Sequence, residues 1–181
     1  MNVTDSEGAK ICAHALREGK VAAVNLACGW TYLCDGTSPS AIKMLKQMAP
    51  DSAYPDPLLI DTTGKLHKHL KELPDQISEL MEFSVKPLII WFSQAINVVP
   101  QAGDTAGAVP FMLASDELLK NTVYRLGKPV MARFPSLHAA PPADALKSAG
   151  CVVHLQRRKF EPFDPVIVHV GSEGTFRFEK K

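Results

Sequence analysis

The chain has 181 residues, of which 46% are hydrophobic and 22% charged, so it is long enough to fold as one domain with a substantial core. Its 20 Lys and Arg against 19 Asp and Glu give a formal net charge of +1, which excludes a general attraction to nucleic acid or acidic membranes. The sequence has neither a signal-peptide pattern nor the roughly 20 apolar residues that span a bilayer, so we expect a single cytoplasmic domain over residues 1–181.

The first part of the chain alternates helical and strand-like patterns. Residues 6–18 have a helical period and place on one face Ile11, Cys12, Ala15 and Leu16. "KVAAVNL" (20–26) is typical of a buried strand, and "NLACGWTYLCDG" (25–36) is interpreted as a loop leading from it to the next helix. Ser38 followed by Pro39 predicts that helix start. Its buried stripe consists of Ala41, Ile42, Leu45 and Met48.

The middle of the chain contains two predicted strands and a helical region between them. "PLLID" (57–61) and "KPLIIWF" (86–92) are short, apolar and bounded by polar residues, as buried strands are. Residues 63–82 have amphipathic helical spacing, interrupted at Pro74, which suits the first turn of a second helix.

"AVPFMLA" (108–114) predicts a further strand, and its Pro110 favours a sheet edge or a strand start. Ser115 is the expected cap of a helix over 116–126, and Gly127 its stop. The buried face of that helix consists of Leu118, Leu119, Val123 and Leu126. A strand, "KPVMARF" (128–134), follows directly.

The last part of the chain contains a Pro-rich turn, "HAAPPAD" (138–144), a short helix and three strands. The strands are "CVVHL" (151–155), "PVIVHV" (165–170) and "TFRFE" (175–179). Strands and helices alternating with long connections predict the fold class α/β, with a twisted, mixed and partly parallel sheet flanked by helices.

Motifs for familiar chemistry are missing from the sequence. The Gly-Lys pairs lack the spacing of a phosphate-binding loop, and nothing around Ser136 and His138 resembles a nucleophile elbow. His67 and His69 point to different faces of a helix, so we expect a solvated surface and no metal site. The four scattered cysteines, Cys12, Cys28, Cys34 and Cys151, are expected to be reduced core thiols.

The densest basic stretch is "QRRK" (156–159). It can be a solvated turn between strands, or it can contact phosphate or RNA through Arg157, Arg158 and Lys159, since adjacent cations neutralise phosphates. Both interpretations stay open.

Four stretches of sequence resemble the YrdC-like family, whose best-known members are threonylcarbamoyl-AMP synthases that act in tRNA modification. The resemblance rests on "ALREGKVAAVNLACGWTYLCDGTSPSAIKML" (15–45), "KPLIIWF" (86–92), "ASDELLKNTVYRLGKPVMARFPSLHAAPPADAL" (114–146) and "PVIVHVGSEGTFRFE" (165–179). They look like the family's opening helix, strand and loop, its "G-P-x-T-x-I-L" strand, its central "L-G-x-P-L" to "S-A-N-x-S-G" region, and its closing strands. The resemblance covers roughly residues 6–179 and implies a YrdC-like fold.

The family's polar motifs are replaced in this chain, although its hydrophobic frame is kept. Leu26 and Ala27 stand where the family loop has Pro and Thr, and Gly29 stands where it has a second Thr. The family's Lys-x-Arg, which in the family handles nucleotide phosphates and the substrate, falls near Met48 and Pro50 in this chain. The Ser-Ala-Asn triplet becomes Phe-Pro-Ser (134–136), while the Arg of the terminal strand is kept as Arg177.

The resemblance therefore implies a YrdC-like protein that lacks threonylcarbamoyl-AMP synthase activity and has no catalytic residues. We expect it to bind a nucleotide or RNA, either double-stranded RNA or tRNA, or to act as an accessory protein in translation-related RNA modification. One alternative is an active synthase that uses ATP as cosubstrate, with Lys46 and Arg133 in a rearranged pocket; another is an interaction domain without a ligand site, its pocket filled by Trp30, Tyr32 and Phe134. No other cofactor is expected, and RNA or a nucleotide-like ligand is the expected partner. The candidate pocket residues are Trp30, Thr31, Tyr32, Lys46, Arg133, Ser136 and Arg177.

Overall fold

The computed structural model describes residues 2–48, 52–135, 143–156 and 159–180. The strands of this part of the chain are β1 (Ala22–Leu26), β2 (Gly29–Asp35), β3 (Leu58–Ile60), β4 (Leu88–Phe92), β5 (Val109–Leu113), β6 (Val130–Arg133), β7 (Cys151–Val153), β8 (Val166–Val170) and β9 (Phe176–Phe178). The helices are α1 (Asp5–Arg17), α2 (Pro39–Met48), α3 (Asp75–Phe83), α4 (Glu117–Leu126) and α5 (Ala143–Ser148).

All nine strands form one sheet in the order β7-β1-β2-β6-β3-β5-β4-β8-β9. The pairs β1/β7, β3/β5 and β4/β8 are parallel, and the other neighbours are antiparallel. Helices lie on both faces of this sheet, because strand side chains alternate between two apolar cores. Tyr32 and Cys34 point into the core shared with α2, α3 and α5, whereas Leu33 points into the core shared with α1 and α4. The predicted fold class, α/β with a mixed, helix-flanked sheet, is confirmed.

The region of residues 25–36 differs from the sequence interpretation. It is a β-hairpin, since β1 and β2 pair antiparallel from Ala22↔Leu33 to Leu26↔Gly29 around a two-residue turn. Gly29 has a φ of 113°, which glycine adopts at little cost. The interpretation of this segment as a loop between strand and helix is therefore wrong, and the aromatic and β-branched residues that follow Gly29 favour a strand.

The helical region before β4 confirms the break at Pro74. A 3₁₀ helix at Thr63–Lys68 precedes it, and α3 begins directly after it, with Pro74 at the N-cap. His69 is buried beside the ring of Phe111, with centroids 5.5 Å apart, so the prediction that this histidine lies on a solvated surface is wrong.

The exposure of Ile11 differs from the prediction: it is 43% exposed, because it lies on the outer side of α1, while its neighbour Cys12 is fully buried. Pro110 lies near the start of its strand, one of the two positions predicted for it, and that strand is internal and not at a sheet edge. The pairing of β5 with β3 begins only at Phe111, so the missing N–H of Pro110 leaves no bond to β3 unmade.

The start of α4 differs from the prediction by one residue. Asp116, not Ser115, is the N-cap, and its carboxylate accepts hydrogen bonds from the backbone N–H groups of Leu118 and Leu119, at 2.9 and 3.3 Å. The predicted buried face and the stop at Gly127, which has a φ of 73°, are confirmed. The start of α2 also follows the prediction, because Ser38 Oγ accepts a bond from the N–H of Ala41.

We expect Asp116→Ala to lower the free energy of unfolding by about 1 kcal/mol, because it removes the N-cap acceptor of α4. The exposed Ser115 is the matched control, and Ser115→Ala should leave the unfolding free energy unchanged. Urea unfolding of both variants measures the difference. Equal losses in the two variants would contradict the assignment of the cap.

Candidate functional site

The candidate site lies at one end of the sheet, where strands of opposite direction bring their ends together. Arg133, the last residue of β6, pairs with Tyr32 of β2, so both side chains lie on the same face. The same end of β6 lies beside the start of β3, because Leu58 pairs with Met131. Asp56, two residues before β3, is thereby brought next to Arg133.

Arg133 and Asp56 form a two-pronged ion pair that is mostly buried. Arg133 donates from Nε to Asp56 Oδ1 at 2.9 Å and from Nη2 to Asp56 Oδ2 at 2.6 Å. The two side chains are only 10% and 11% exposed. Two parallel, charge-assisted hydrogen bonds fix the guanidinium in one orientation. The positive charge of Arg133 is therefore largely neutralised by the protein's own carboxylate.

Arg133 also connects the sheet to the end of α2. Its Nη1 donates to the main-chain carbonyl oxygen of Lys46 at 3.3 Å, which occupies one of the carbonyls that a helix end leaves unpaired. The Lys46 side chain extends in another direction, and its Nζ donates to the carbonyl oxygen of Gln101 at 3.0 Å. Lys46 thus lies between the sheet and the short 3₁₀ helix at Pro100–Ala102.

Two adjoining cavities open around Lys46. One, of about 290 Å³, extends over the ion pair and is lined among others by Tyr54, Trp91 and Asp104. The other, of about 550 Å³, lies between α2 and the Pro100–Ala102 helix and is lined among others by Lys43. Both are lined by Lys46 and by Gly103. We call the two together the α2 cleft.

The charges of the α2 cleft are unevenly distributed. Lys43 and Lys46 are three residues apart on α2, so their exposed side chains lie on the same side of the helix. The Asp104 carboxylate is occupied within its own loop, where it accepts from the N–H groups of Ala106 and Ala108, both at 2.9 Å. Among the described residues, the cleft therefore offers two exposed lysines that line the larger cavity, Lys43 and Lys46.

Of the predicted pocket residues, Lys46 and Arg133 come together in the smaller cavity. Trp30, Thr31 and Tyr32 lie on β2 and line neither cavity. Trp30 packs edge-on against His154, with ring centroids 5.2 Å apart. Thr31 is buried and its hydroxyl donates to the carbonyl oxygen of Gly29 at 3.3 Å.

Tyr32 is buried in the core on the cleft side of the sheet, and burial raises the pKa of its hydroxyl. Within the described residues this hydroxyl has no hydrogen-bond partner. Phe134 packs in the opposite core, stacked on Phe163 with centroids 3.9 Å apart. The aromatic residues expected to fill a lost pocket thus do not line the α2 cleft.

The remaining predicted residues lie elsewhere. Arg177 is exposed on the edge strand β9, where it pairs with His169 of β8, and it does not approach the α2 cleft. Lys159 is exposed, whereas Ser136, Arg157 and Arg158 lie outside the described residues. The contact of the basic stretch with phosphate or RNA stays a prediction.

Sequence reasoning missed Asp56, Lys43 and Gln101 as parts of this site. Asp56 is 77 residues away from Arg133, and no local pattern connects the two. Lys43 could have been found, since its spacing from Lys46 is that of one helix face. Across residues 2–48, 52–135, 143–156 and 159–180, no group of three His, Cys, Asp or Glu could hold a metal ion, and no helix is long and apolar enough to cross a membrane.

Comparison with solved structures identifies the fold. E. coli YciO superposes with a TM-score of 0.75 at 11% identity, covering 99% of this chain and 91% of that one. P. abyssi Sua5 in complex with L-threonine gives 0.67 at 18% identity, covering 93% of this chain and 52% of that one. A phosphate- and nucleotide-bound HypF superposes with a TM-score of 0.68 at 15% identity, covering 94% of this chain and 28% of that one.

These similarities establish a YrdC-like fold, as the sequence resemblance implies. The chain spans about half the length of the Sua5 structures and about a quarter of HypF. No protein-family model matches the sequence, and comparison with curated protein sequences finds no match. The likeness to the solved structures is thus one of backbone architecture, at identities of 11 to 18%.

Proposed function

We propose that this YrdC-like protein binds a nucleotide-like ligand with one phosphate in the α2 cleft and has no threonylcarbamoyl-AMP synthase activity. The observation that carries the proposal is the pair of exposed ammonium groups, Lys43 and Lys46, on the wall of a cavity of about 550 Å³. Small-molecule sites typically have volumes of about 300–1,000 Å³ and a few convergent polar groups.

The number of phosphate groups on the ligand is inferred from the number of cations in the cleft. Two ammonium groups match the charge of a single phosphate, whereas the triphosphate of ATP requires more neutralisation. Arg133 adds little, since Asp56 holds it in two short hydrogen bonds. Asp104, which lines the adjoining cavity, disfavours further negative charge there. A nucleoside monophosphate such as AMP fits this balance better than ATP.

We propose that the protein has no synthase activity for the same reason, which is that the cleft offers few cations for the charge of ATP. A synthase must hold ATP and a small carboxylate at once, and developing charge in such a reaction is stabilised by preorganised cations and hydroxyls. In the described part of the cleft the one arginine is neutralised by Asp56. Each charge-assisted hydrogen bond that is missing lowers the stabilising free energy by roughly 1.5–3 kcal/mol.

Titration calorimetry with AMP tests the proposal, comparing the wild type with Lys46→Met. We expect saturable binding by the wild type and an affinity at least about tenfold lower in the variant, because one charge-assisted bond to phosphate is lost. Lys120→Met is the matched control, since Lys120 is an exposed lysine on α4, on the opposite side of the sheet. Absence of binding at millimolar AMP, or equal affinities in all three proteins, would refute it.

A further inference from the structure

Two cysteines lie close together where α1 packs on β7, the edge strand of the sheet. Helix and strand are in close contact, because a Cβ atom built on Gly8 of α1 would lie 3.1 Å from Cγ1 of Val153 in β7. Cys12 lies four residues after Gly8, which is one helical turn or about 6 Å along the axis. Cys151 lies two residues before Val153, about 6.6 Å along the strand on the same face. Helix α1 and strand β7 run in opposite directions, since Lys20, which follows α1, lies against Gly150, which precedes β7. The two steps therefore bring Cys12 and Cys151 together.

The two side chains share the core between the sheet and α1, where Cys12 is a buried member and Cys151 packs against it. A disulfide joins cysteines whose Cα atoms lie about 4.4–6.8 Å apart, so neighbouring side chains on a helix and on the strand that it contacts are suited to form one. The pair is thus positioned for a covalent link between α1 and β7.

The two thiols differ in accessibility. Cys12 is fully buried, whereas Cys151 is partly exposed at the start of the edge strand β7. Lys20 lies beside it, because a Cβ atom on Gly150 would lie 2.5 Å from the Lys20 Cβ. An oxidant from solvent therefore reaches Cys151 first, and Cys12 is the neighbouring thiol that can then form a disulfide with it.

The pKa shifts of the cysteines agree with this order of reaction. The neighbouring Cys12 thiol lowers the pKa of Cys151 against the opposing effect of burial, and the ammonium group of Lys20 lowers it further. The neighbouring Cys151 thiol and burial raise the pKa of Cys12. Burial raises the pKa of the other two cysteines, Cys28 and Cys34. Cys151 is therefore the cysteine with the largest thiolate fraction, and the thiolate is the reactive form.

We propose that Cys151 and Cys12 form a reversible oxidation site, with Cys151 as the thiol attacked by peroxide and Cys12 as the resolving thiol. The Cys151 thiolate attacks one oxygen of hydrogen peroxide; an S–O bond forms, the O–O bond breaks, and the hydroxide that leaves takes up a proton. Cys12 then attacks the Cys151 sulfenic acid; the S–S bond forms, the S–O bond breaks, and hydroxide leaves with the Cys12 proton as water. Two thiols are oxidised, and one peroxide is reduced to two waters.

The test is treatment of the full chain with a small excess of hydrogen peroxide, followed by peptide mapping without reductant. We expect a mass loss of about 2 Da and a peptide pair linked through Cys12 and Cys151, which dithiothreitol reverses. Cys151 should react at least about tenfold faster than Cys28, which is also partly buried and whose pKa is raised.

Variants separate the two roles. In Cys12→Ala the oxidation should stop at a sulfenic acid on Cys151, which dimedone traps, and Cys28→Ser should form the disulfide as the wild type does. The proposal is overturned if peroxide takes the wild-type Cys151 to sulfinic acid without a link to Cys12, or if Cys28 and Cys151 react equally fast. If Cys12→Ala does not fold, the peptide map of the wild type decides the question alone.

Discussion

Replacing Asp56 by alanine is expected to lower the free energy of unfolding by about 3–5 kcal/mol, because it removes the carboxylate that holds the buried guanidinium of Arg133 in two charge-assisted hydrogen bonds. Both partners are about nine-tenths buried and form two short hydrogen bonds. The contact of Arg133 with the Lys46 carbonyl oxygen does not replace the carboxylate, because a carbonyl carries no full negative charge.

Urea unfolding of Asp56→Ala and of two reference variants measures this effect. Glu18→Ala removes one partner of an ion pair that is exposed to solvent, with Lys20 at 2.7 Å, and should leave the unfolding free energy essentially unchanged. Asp56→Ala combined with Arg133→Met removes both charges and should recover a large part of the loss. A cost for Asp56→Ala no greater than that of Glu18→Ala would show that the pair does not hold this end of the sheet together.

The second large effect is expected for Phe111→Ala, which should cost about 3–5 kcal/mol. Phe111 is fully buried on β5, near the middle of the sheet, and its ring lies 5.5 Å from that of His69 and 5.9 Å from that of Phe92. Its loss leaves a cavity beneath the helices on the cleft side, and the sheet around it is too constrained to collapse fully.

Thermal or urea unfolding again provides the measurement, with Phe178→Ala as the matched control. Phe178 is on the edge strand β9 and is 56% exposed, so its truncation should cost less than about 1 kcal/mol. Similar losses in the two variants would contradict the placement of the core between the sheet and the helices α2 and α3.

The sequence predicted most elements of the fold, because their signals are local. The helical period of residues 117–126 and the apolar run of β4 specify their own structure, and both are confirmed. The sequence does not predict the hairpin of β1 and β2, because residues 25–36 resemble a loop of the family. Gly29 nevertheless marks a turn, and the residues after it favour a strand. The cap of α4 was displaced by one residue, since Ser115 and Asp116 are both good acceptors.

The candidate site was harder to predict, because its partners are distant in the chain. Lys46 and Arg133 were predicted as cations of one rearranged pocket, and they do line the same cavity. Nothing in the sequence indicated that Asp56 would neutralise Arg133, since this pairing depends on the register of β6 with β3. Arg177 was matched to a family position, yet the order of the sheet places it on the far edge strand.

We infer that this YrdC-like fold binds a nucleotide-like ligand in the α2 cleft without performing the synthase reaction. The most direct measurement incubates the purified chain with ATP, L-threonine and bicarbonate, and follows pyrophosphate release and threonylcarbamoyl-AMP formation. We expect no pyrophosphate above the level of a protein-free control, because the described residues of the α2 cleft offer fewer free cations than the triphosphate of ATP requires. Threonine-dependent release of pyrophosphate by the wild type, abolished by Lys46→Met, would contradict the account and indicate an active synthase with a rearranged pocket.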